Sequence, residues 1–235
     1  MNKYHQQILE EIEKRKPISE NHHFDVPKYL GTNHIFYNLD NPTKRNLAKK
    51  FAKENRDIPL KKWRELLDAL YKGKSYEEKT IASFLLEYLP QQRKELDPKE
   101  LDKWLEELAG WAEIDTLCSG PFGERELIEK WKIWKKLLTR LNQSKNISKR
   151  RASLVLLCKP LRQSIEKKVF DLVIDNVERV KGEKNILITK AVSWVLRSAI
   201  KNYKKEVSYY LEKNKTTLPK IAVRETSRKL LTGRK

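Results

Sequence analysis

Four segments of this chain resemble one another and recur at nearly regular intervals, and this restricts the possible fold more than any other feature. Three are apolar segments that contain a cation: KTIASFLLEY from Lys79, RRASLVLLC around Arg151 and TKAVSWVLR around Lys190. A fourth, WAEIDTLCS, has Asp115 at the corresponding position, and the aligned residues are separated by 36, 36 and 39 positions. This spacing is typical of a repeated helix pair, in which each pair buries its apolar face only by stacking on its neighbours.

The segments that separate these cores contain residues that begin and end helices. Residues 75–78 (SYEE) have the form of a capping box, and Pro90 is expected to end the helix that follows. Asn41-Pro42 is expected to cap and open a helix, and Ser148 to open another that ends before Pro160. Alternating strand patterns are nearly absent, and the chain has 7 glycines.

The sequence therefore predicts an all-α fold, a HEAT-like or armadillo-like helical-repeat solenoid of stacked antiparallel helix pairs with a concave basic face. We expect one domain over residues 1–235. Its repeat-like inner helices are expected around residues 78–89, 111–118, 149–158 and 186–203.

The charge of the chain indicates a polyanionic partner. Lysine and arginine total 51 against 32 acidic residues, which gives a net charge of +19. Nucleic acid is favoured over an anionic membrane, because no stretch approaches ~18 uninterrupted apolar residues and the first residues are unlike a targeting peptide. A basic protein that merely stays in solution is the remaining interpretation of the charge.

Cysteine and histidine give no sign of a metal or a disulfide framework. Cys118 and Cys158 lack metal-ligand spacing, and all four histidines lie within the first 34 residues. His22-His23 could contact phosphate or metal, but a solvated loop pair is the simpler interpretation. We expect a cytoplasmic protein with no metal and no cofactor.

The register of the repeats places a carboxylate among cations. If the aligned positions are equivalent, Lys79, Arg151 and Lys190 share a surface with Asp115. A carboxylate repels phosphate, so it does not assist the binding of a polyanion. Asp115 is either an N-cap or a partner of Arg151, or it is placed to meet a cation on the nucleic acid.

Two tryptophans stand near these positions. Trp111 precedes Asp115 by four residues and shares its helical face, and Trp194 follows Lys190 by the same step. Indole faces can pack on deoxyribose, while an arginine fork binds phosphate. Each tryptophan taken alone is more often part of a core.

The same residues resemble those of a known family. WAEIDTLCS, the segment from Arg151 and KAVSWVLR are similar to the AlkD-like DNA alkylation repair family of HEAT-like-repeat DNA glycosylases. The resemblance extends over most of the chain and includes residues 29–34 (YLGTNH), residues 41–45 (NPTKR) and the pair Arg224-Glu225.

The resemblance implies roles for individual residues. The family's catalytic aspartate falls on Asp115, its paired tryptophans on Trp111 and Trp194, and its phosphate-binding arginine on Arg151. Tyr29 matches a DNA-contacting tyrosine and Arg197 a basic residue after the second tryptophan. Lys79 and Lys190 complete the expected DNA-binding set. Two positions depart from the pattern: Asp40 replaces a neutral polar DNA contact and Leu187 an aromatic residue.

The resemblance implies that the protein excises N3- or N7-alkylated purines from duplex DNA, as a metal-free, monofunctional glycosylase of base excision repair. We expect the protein to be prokaryotic, monomeric and associated with the nucleoid through DNA. Two other functions stay open. One is a non-catalytic protein that binds damaged or branched DNA, and the other is a helical scaffold for acidic proteins.

Overall fold

The computed structural model describes residues 2–17 and 24–234, and within these ranges the regular structure is helical throughout. The chain divides into two compact units, Met1–Pro121 and Phe122–Lys235, which are described separately. The first unit contains a short 3-10 helix, Leu105–Glu107, and the α-helices α1 (Lys3–Glu13), α2 (Val26–Leu30), α3 (Asn41–Glu54), α4 (Leu60–Tyr71), α5 (Tyr76–Tyr88), α6 (Pro90–Glu95), α7 (Glu100–Trp104) and α8 (Ala112–Ser119).

In the second unit, residues 122–234 form six further α-helices: α9 (Glu124–Glu129), α10 (Trp131–Asn142), α11 (Ile147–Gln163), α12 (Lys167–Val180), α13 (Ile186–Lys213) and α14 (Lys220–Thr232). The four expected inner helices correspond to α5, α8, α11 and α13. Helix α13 runs ten residues beyond its expected end, with a local break at Tyr203, where φ is −131°. The prediction of an all-α fold of stacked helices is confirmed, whereas the single domain and the concave face stay predictions.

Helix α5 is the centre of the first unit. It packs against α3, α4 and α8, so every residue from Tyr76 to Leu86 is buried. The predicted capping box is confirmed: the Glu78 amide donates to Ser75 Oγ at 3.2 Å, and Glu78 Oε2 accepts from the Ser75 amide at 2.8 Å. These two bonds satisfy amides at the helix start that would otherwise be unpaired inside the protein.

Helix α11 has the corresponding position in the second unit, where it packs against α9, α10, α12 and α13. A buried polar cluster joins three of these helices. Asn142 Nδ2 of α10 donates to Ser153 Oγ of α11 at 3.0 Å and to the Asn176 carbonyl of α12 at 3.2 Å. Because a buried amide N–H is costly without an acceptor, these bonds favour this packing of the three helices.

Three local predictions about helix ends were wrong. Asp40, not Asn41, is the N-cap of α3 and accepts from the Thr43 amide at 2.8 Å. Asn146, not Ser148, caps α11. Helix α11 also continues through Pro160 to Gln163, and its packing against neighbouring helices offsets the backbone hydrogen bond that the proline cannot make.

Opposite charges are buried where α3 packs on α5, at Lys44 and Glu77. Lys44 is 2% exposed, and its ammonium lies 4.3 Å from the centre of the Tyr76 ring. Nearby, Glu77 accepts the amides of Tyr37 at 3.0 Å and Leu39 at 3.3 Å. Burial lowers the pKa of Lys44 from 10.5 to about 8, although the negative charges of Glu77 and Asp40 oppose the change. Burial likewise raises the pKa of Glu77.

The lowered pKa of Lys44 predicts a specific pH dependence of stability. Between pH 8 and 10.5 the unfolded chain keeps a proton on Lys44 that the folded chain has released, so this residue makes stability rise with pH in that window. Relative to Lys44→Met, the parent should gain up to about 3 kcal/mol of unfolding free energy. Chemical denaturation at several pH values measures this, with exposed Lys49→Met as the control. Parallel curves for the parent and Lys44→Met would contradict the prediction.

Candidate functional site

Helix α8 presents Asp115 in its first turn. Trp111 stands at the N-cap position without a side-chain capping bond, and the Asp115 amide donates to its carbonyl at 2.9 Å. The alternative that Asp115 is an N-cap is therefore wrong. Both Trp111 and Asp115 are partly exposed to solvent. The partial positive charge of a helix N-terminus favours negative charge in this turn, where Asp115 lies.

Glu113 fixes the start of α8 from inside the protein. It is 1% exposed, and its Oε1 accepts from Thr32 Oγ1 at 2.5 Å and lies 2.9 Å from His34 Nδ1. Its Oε2 accepts the Ala109 amide at 2.8 Å. These contacts tie the loop of residues 32–34 to the helix that carries Asp115. Sequence reasoning missed Glu113, because its partners on that loop lie about eighty residues away along the chain.

Two glycines bring the segment after α2 against the segment before α8. Gly31 and Gly110 have φ of +72° and +67°, which L-residues with side chains rarely adopt. A Cβ atom on Gly110 would lie 2.3 Å from the Leu30 oxygen, so the two backbones approach more closely than a side chain permits. The Trp111 amide donates to that same Leu30 oxygen at 3.2 Å.

This contact orients Trp111 and Tyr29 together. Trp111 Nε1 donates to the Tyr29 carbonyl at 2.7 Å, and the two rings meet edge to face with centroids 5.5 Å apart. The Phe24 ring packs edge to face with Tyr29, with centroids 5.9 Å apart, and Phe24 and Tyr29 are both at least 60% exposed. The first unit therefore places the predicted residues Tyr29, Trp111 and Asp115 at one exposed aromatic corner. Phe24 is an addition that the sequence did not indicate.

Lys79 does not lie on a surface, contrary to the expectation that it contacts DNA. It is 1% exposed, and its ammonium donates to the carbonyls of Tyr71 at 2.6 Å and Gly73 at 2.9 Å. Burial lowers the pKa of Lys79. Its bonds hold the end of α4 against α5, which is a structural role, and we leave Lys79 out of the proposed DNA-binding set.

Arg151 is also largely buried, with 4% of its surface exposed. Its Nη1 donates to the carbonyl of Leu187, the second residue of α13. The guanidinium thus joins α11 to the start of α13. Leu187, the departure from the family pattern, takes part in this contact through its backbone, which any residue type could provide.

Helix α13 presents the remaining predicted residues of the second unit. Lys190 is exposed and Trp194 partly exposed, one helical turn apart. Arg197, by contrast, has a side chain only 11% exposed, and its guanidinium lies 3.3 Å from the Glu225 carboxylate of α14. Ser193 bridges this pair, because it donates to Glu225 at 2.6 Å and accepts from Arg197 at 3.2 Å. Of these residues, Lys190 is the cation most accessible to a phosphate.

Within residues 2–17 and 24–234 no group of three or more histidine, cysteine or acidic residues could hold a metal ion. His5 lies 2.7 Å from the Glu78 carboxylate, whereas His22 and His23 lie outside the described residues. In the same part of the chain, no helix has the length and apolar character needed to cross a bilayer.

Comparison with known proteins agrees with the fold. The chain is similar to a solved structure described as a predicted DNA alkylation repair enzyme from Enterococcus faecalis, with a TM-score of 0.72 and 20% sequence identity. The match covers 88% of this chain and 93% of that one. No curated protein matches the sequence significantly. A family model described as DNA alkylation repair enzyme matches residues 9–230. The chain therefore belongs to the DNA alkylation repair enzyme family.

Proposed function

We propose that this chain is a monofunctional DNA glycosylase that hydrolyses the N-glycosidic bond of cationic N3- or N7-alkylated purines in duplex DNA. The observation that carries the proposal is the placement of Asp115: a carboxylate at the start of a fixed helix, one turn from an indole that is itself held by Tyr29. Family membership supports a role in repair of alkylated DNA.

The chemistry suits a single carboxylate. Alkylation at N3 or N7 makes the purine cationic, so when the C1′–N bond breaks its electron pair passes to the base, which leaves as a neutral molecule. No acid has to protonate the leaving group, unlike the glycosides that require two carboxylates. The sugar becomes an oxocarbenium-like cation, which Asp115 stabilises by its charge. A water oxygen then bonds to C1′ and its proton passes to Asp115 or to solvent.

The aromatic residues position the sugar. Trp111 has little freedom to rotate, because its ring nitrogen donates to the Tyr29 carbonyl and its ring packs edge to face with the Tyr29 ring. We assign to Trp111, and by resemblance to Trp194, the packing on deoxyribose and the cation–π contribution to the developing sugar charge. Tyr29 and Lys190 are proposed as direct DNA contacts because both are exposed.

We assign mainly supporting roles to Arg151 and Arg197, in contrast to the direct DNA contacts proposed for Tyr29 and Lys190. Both guanidinium groups make contacts within the protein, Arg151 to Leu187 and Arg197 to Glu225. We propose that Arg151 binds phosphate through the small part of it that is exposed, while its main bond holds the start of α13. Arg197 then supports the helix that presents Lys190 and Trp194.

Replacing Asp115 by asparagine separates a catalytic role from DNA binding. The variant keeps the shape of the side chain and removes its charge, which is needed more in the transition state than in the bound ground state. The single-turnover excision rate should fall about ten-fold or more, on the order of 1.4 kcal/mol at minimum, while affinity for intact duplex stays equal or improves. Asp57→Asn, at an exposed aspartate of the same unit, is the matched control. Excision of 7-methylguanine at the parent rate by Asp115→Asn would refute the assignment.

The choice of lesion tests whether the cationic base supplies the driving force. The protein should release 3-methyladenine and 7-methylguanine but leave uracil and hypoxanthine, since neutral bases leave poorly without a proton donor. Duplexes that differ only in the central base give the comparison, measured as abasic sites formed in a single turnover. Efficient release of uracil would mean that a general acid operates and that the proposed chemistry is incorrect.

A further inference from the structure

His34 is held by a buried carboxylate through one of its two ring nitrogens. Its Nδ1 lies 2.9 Å from Glu113 Oε1. Glu113 Oε1 also accepts the Thr32 hydroxyl, and Glu113 Oε2 accepts the Ala109 amide, so both oxygens of this carboxylate act as acceptors. The proton of the contact with His34 is therefore assigned to Nδ1, because two facing lone pairs would repel each other.

The second ring nitrogen of His34, Nε2, reaches solvent. It forms no hydrogen bond with any residue that the structure describes, it is not a buried atom, and 21% of the side chain is exposed. The loop around it is also at the surface, because Asn33 and Ile35 are both exposed. With Nδ1 fixed as a donor, Nε2 accepts a hydrogen bond while the ring is neutral and donates one when the ring is a cation.

The loop that carries His34 begins at the exposed aromatic corner. Gly31, three residues before His34, packs against Gly110, and Trp111 follows directly. Glu113, which holds His34, lies two residues after Trp111, a rise of about 3 Å along α8. Because each DNA strand carries one phosphate per ~3.4 Å of duplex axis, a strand packed on Trp111 brings phosphates to the neighbourhood of this histidine.

The other titratable groups around Glu113 lie on α5. Tyr76 interacts electrostatically with this carboxylate, and burial raises the pKa of Tyr76, so its hydroxyl is uncharged. Lys79 also interacts with Glu113, but it is buried and its ammonium is bound to two carbonyls, which withdraws it from a ligand. The other carboxylates that act on Lys79 are Glu107 and Glu78. A protonated His34 is therefore the cation of this cluster that a phosphate can reach.

We propose that His34 is a phosphate-binding residue beside the aromatic corner and that it makes DNA binding there depend on pH. When the ring is protonated on both nitrogens, Nε2–H donates to a phosphate oxygen; when the ring is neutral, the Nε2 lone pair repels that oxygen. Glu113 is the positioning residue, which fixes the ring and its tautomer. The proposal rests on the part of the proposed function that seats duplex DNA at Trp111, and not on excision.

The test is the salt dependence of binding to an undamaged duplex, measured by fluorescence anisotropy at pH 5.5 and 8.5, on either side of the range in which histidine titrates. One phosphate contact contributes about 0.9 to the slope of log affinity against log salt. At pH 5.5 the slope of His34→Gln should be smaller than the parent's by about this amount, so that between 50 and 200 mM salt its affinity falls roughly three- to four-fold less. At pH 8.5 the two slopes should coincide, because the ring of the parent is then neutral.

His5→Gln is the matched control, because His5 also contacts a buried carboxylate, Glu78 at 2.7 Å, but lies on α1. Its slope should follow that of the parent at both pH values. Glu113→Gln keeps an acceptor for Nδ1 and removes the negative charge, so a lower pH should be needed to reach the same slope. Thermal melting of each variant shows whether a change in affinity comes from a destabilised fold, which would not alter the slope at one pH alone.

Three results would overturn the proposal: equal slopes for the parent and His34→Gln at pH 5.5, the same difference between them at both pH values, or an equal loss in His5→Gln. Failure of the parent to bind duplex DNA would overturn the proposed function as well. Binding that changes with pH through His34, without excision of 7-methylguanine, would support this proposal and count against the glycosylase activity alone.

Discussion

The constraint on which the structure depends is the enclosure of α5 and α11 by neighbouring helices. A helix surrounded on all sides cannot send its polar side chains to water, so each one must find a partner inside the protein. Lys79 meets this requirement with two carbonyls at the end of α4, and Arg151 with the Leu187 carbonyl. These cations therefore hold successive helices together and are largely withdrawn from a ligand, whereas Asp115 of α8 is partly exposed and Lys190 of α13 is exposed.

Much of the fold could be predicted from the sequence because the signals for it are local. The capping box at Ser75 lies within four residues, and the spacing of the repeat cores follows from the stacking of helix pairs. The alignment of the repeats also predicted that Lys79 lies on a surface, and this was wrong. Side chains at equivalent positions of a repeat point in the same direction, but their exposed fractions can differ. Whether a side chain reaches solvent depends on neighbours that are distant in sequence.

Part of the candidate site could likewise be predicted, because its spacing is a local signal. Trp111 and Asp115 lie one helical turn apart, which is readable from their spacing. The contacts that hold these two residues in place could not be predicted from local sequence. Glu113 contacts Thr32 and His34, and Gly110 packs against Gly31, and each of these pairs is separated by about eighty residues along the chain. The resemblance to a known family identified Tyr29 as a DNA contact. The structure adds that Tyr29 also holds Trp111, because its carbonyl accepts the indole N–H and its ring packs edge to face with the indole.

In this account the protein contributes charge and rigidity, and the lesion contributes its own leaving-group ability. In the proposed chemistry, a partly exposed carboxylate beside fixed aromatic rings is sufficient for a base that is already cationic, and no deep pocket has to recognise it. The proposed chemistry would give a strongly basic chain a use for a carboxylate beside bound DNA. The carboxylate weakens the binding of intact DNA because it repels phosphate. In the transition state this cost is offset by the attraction between the carboxylate and the positively charged sugar.

The most direct measurement is the formation of abasic sites by the parent protein on duplex DNA that carries a single 7-methylguanine. The account predicts cleavable abasic sites at that position, formed in a single turnover well above spontaneous depurination, without added metal and with none at an unmodified guanine in the same sequence. Tight binding of the modified duplex with abasic sites no more frequent than in protein-free DNA would contradict it and would favour a protein that binds DNA without excising a base.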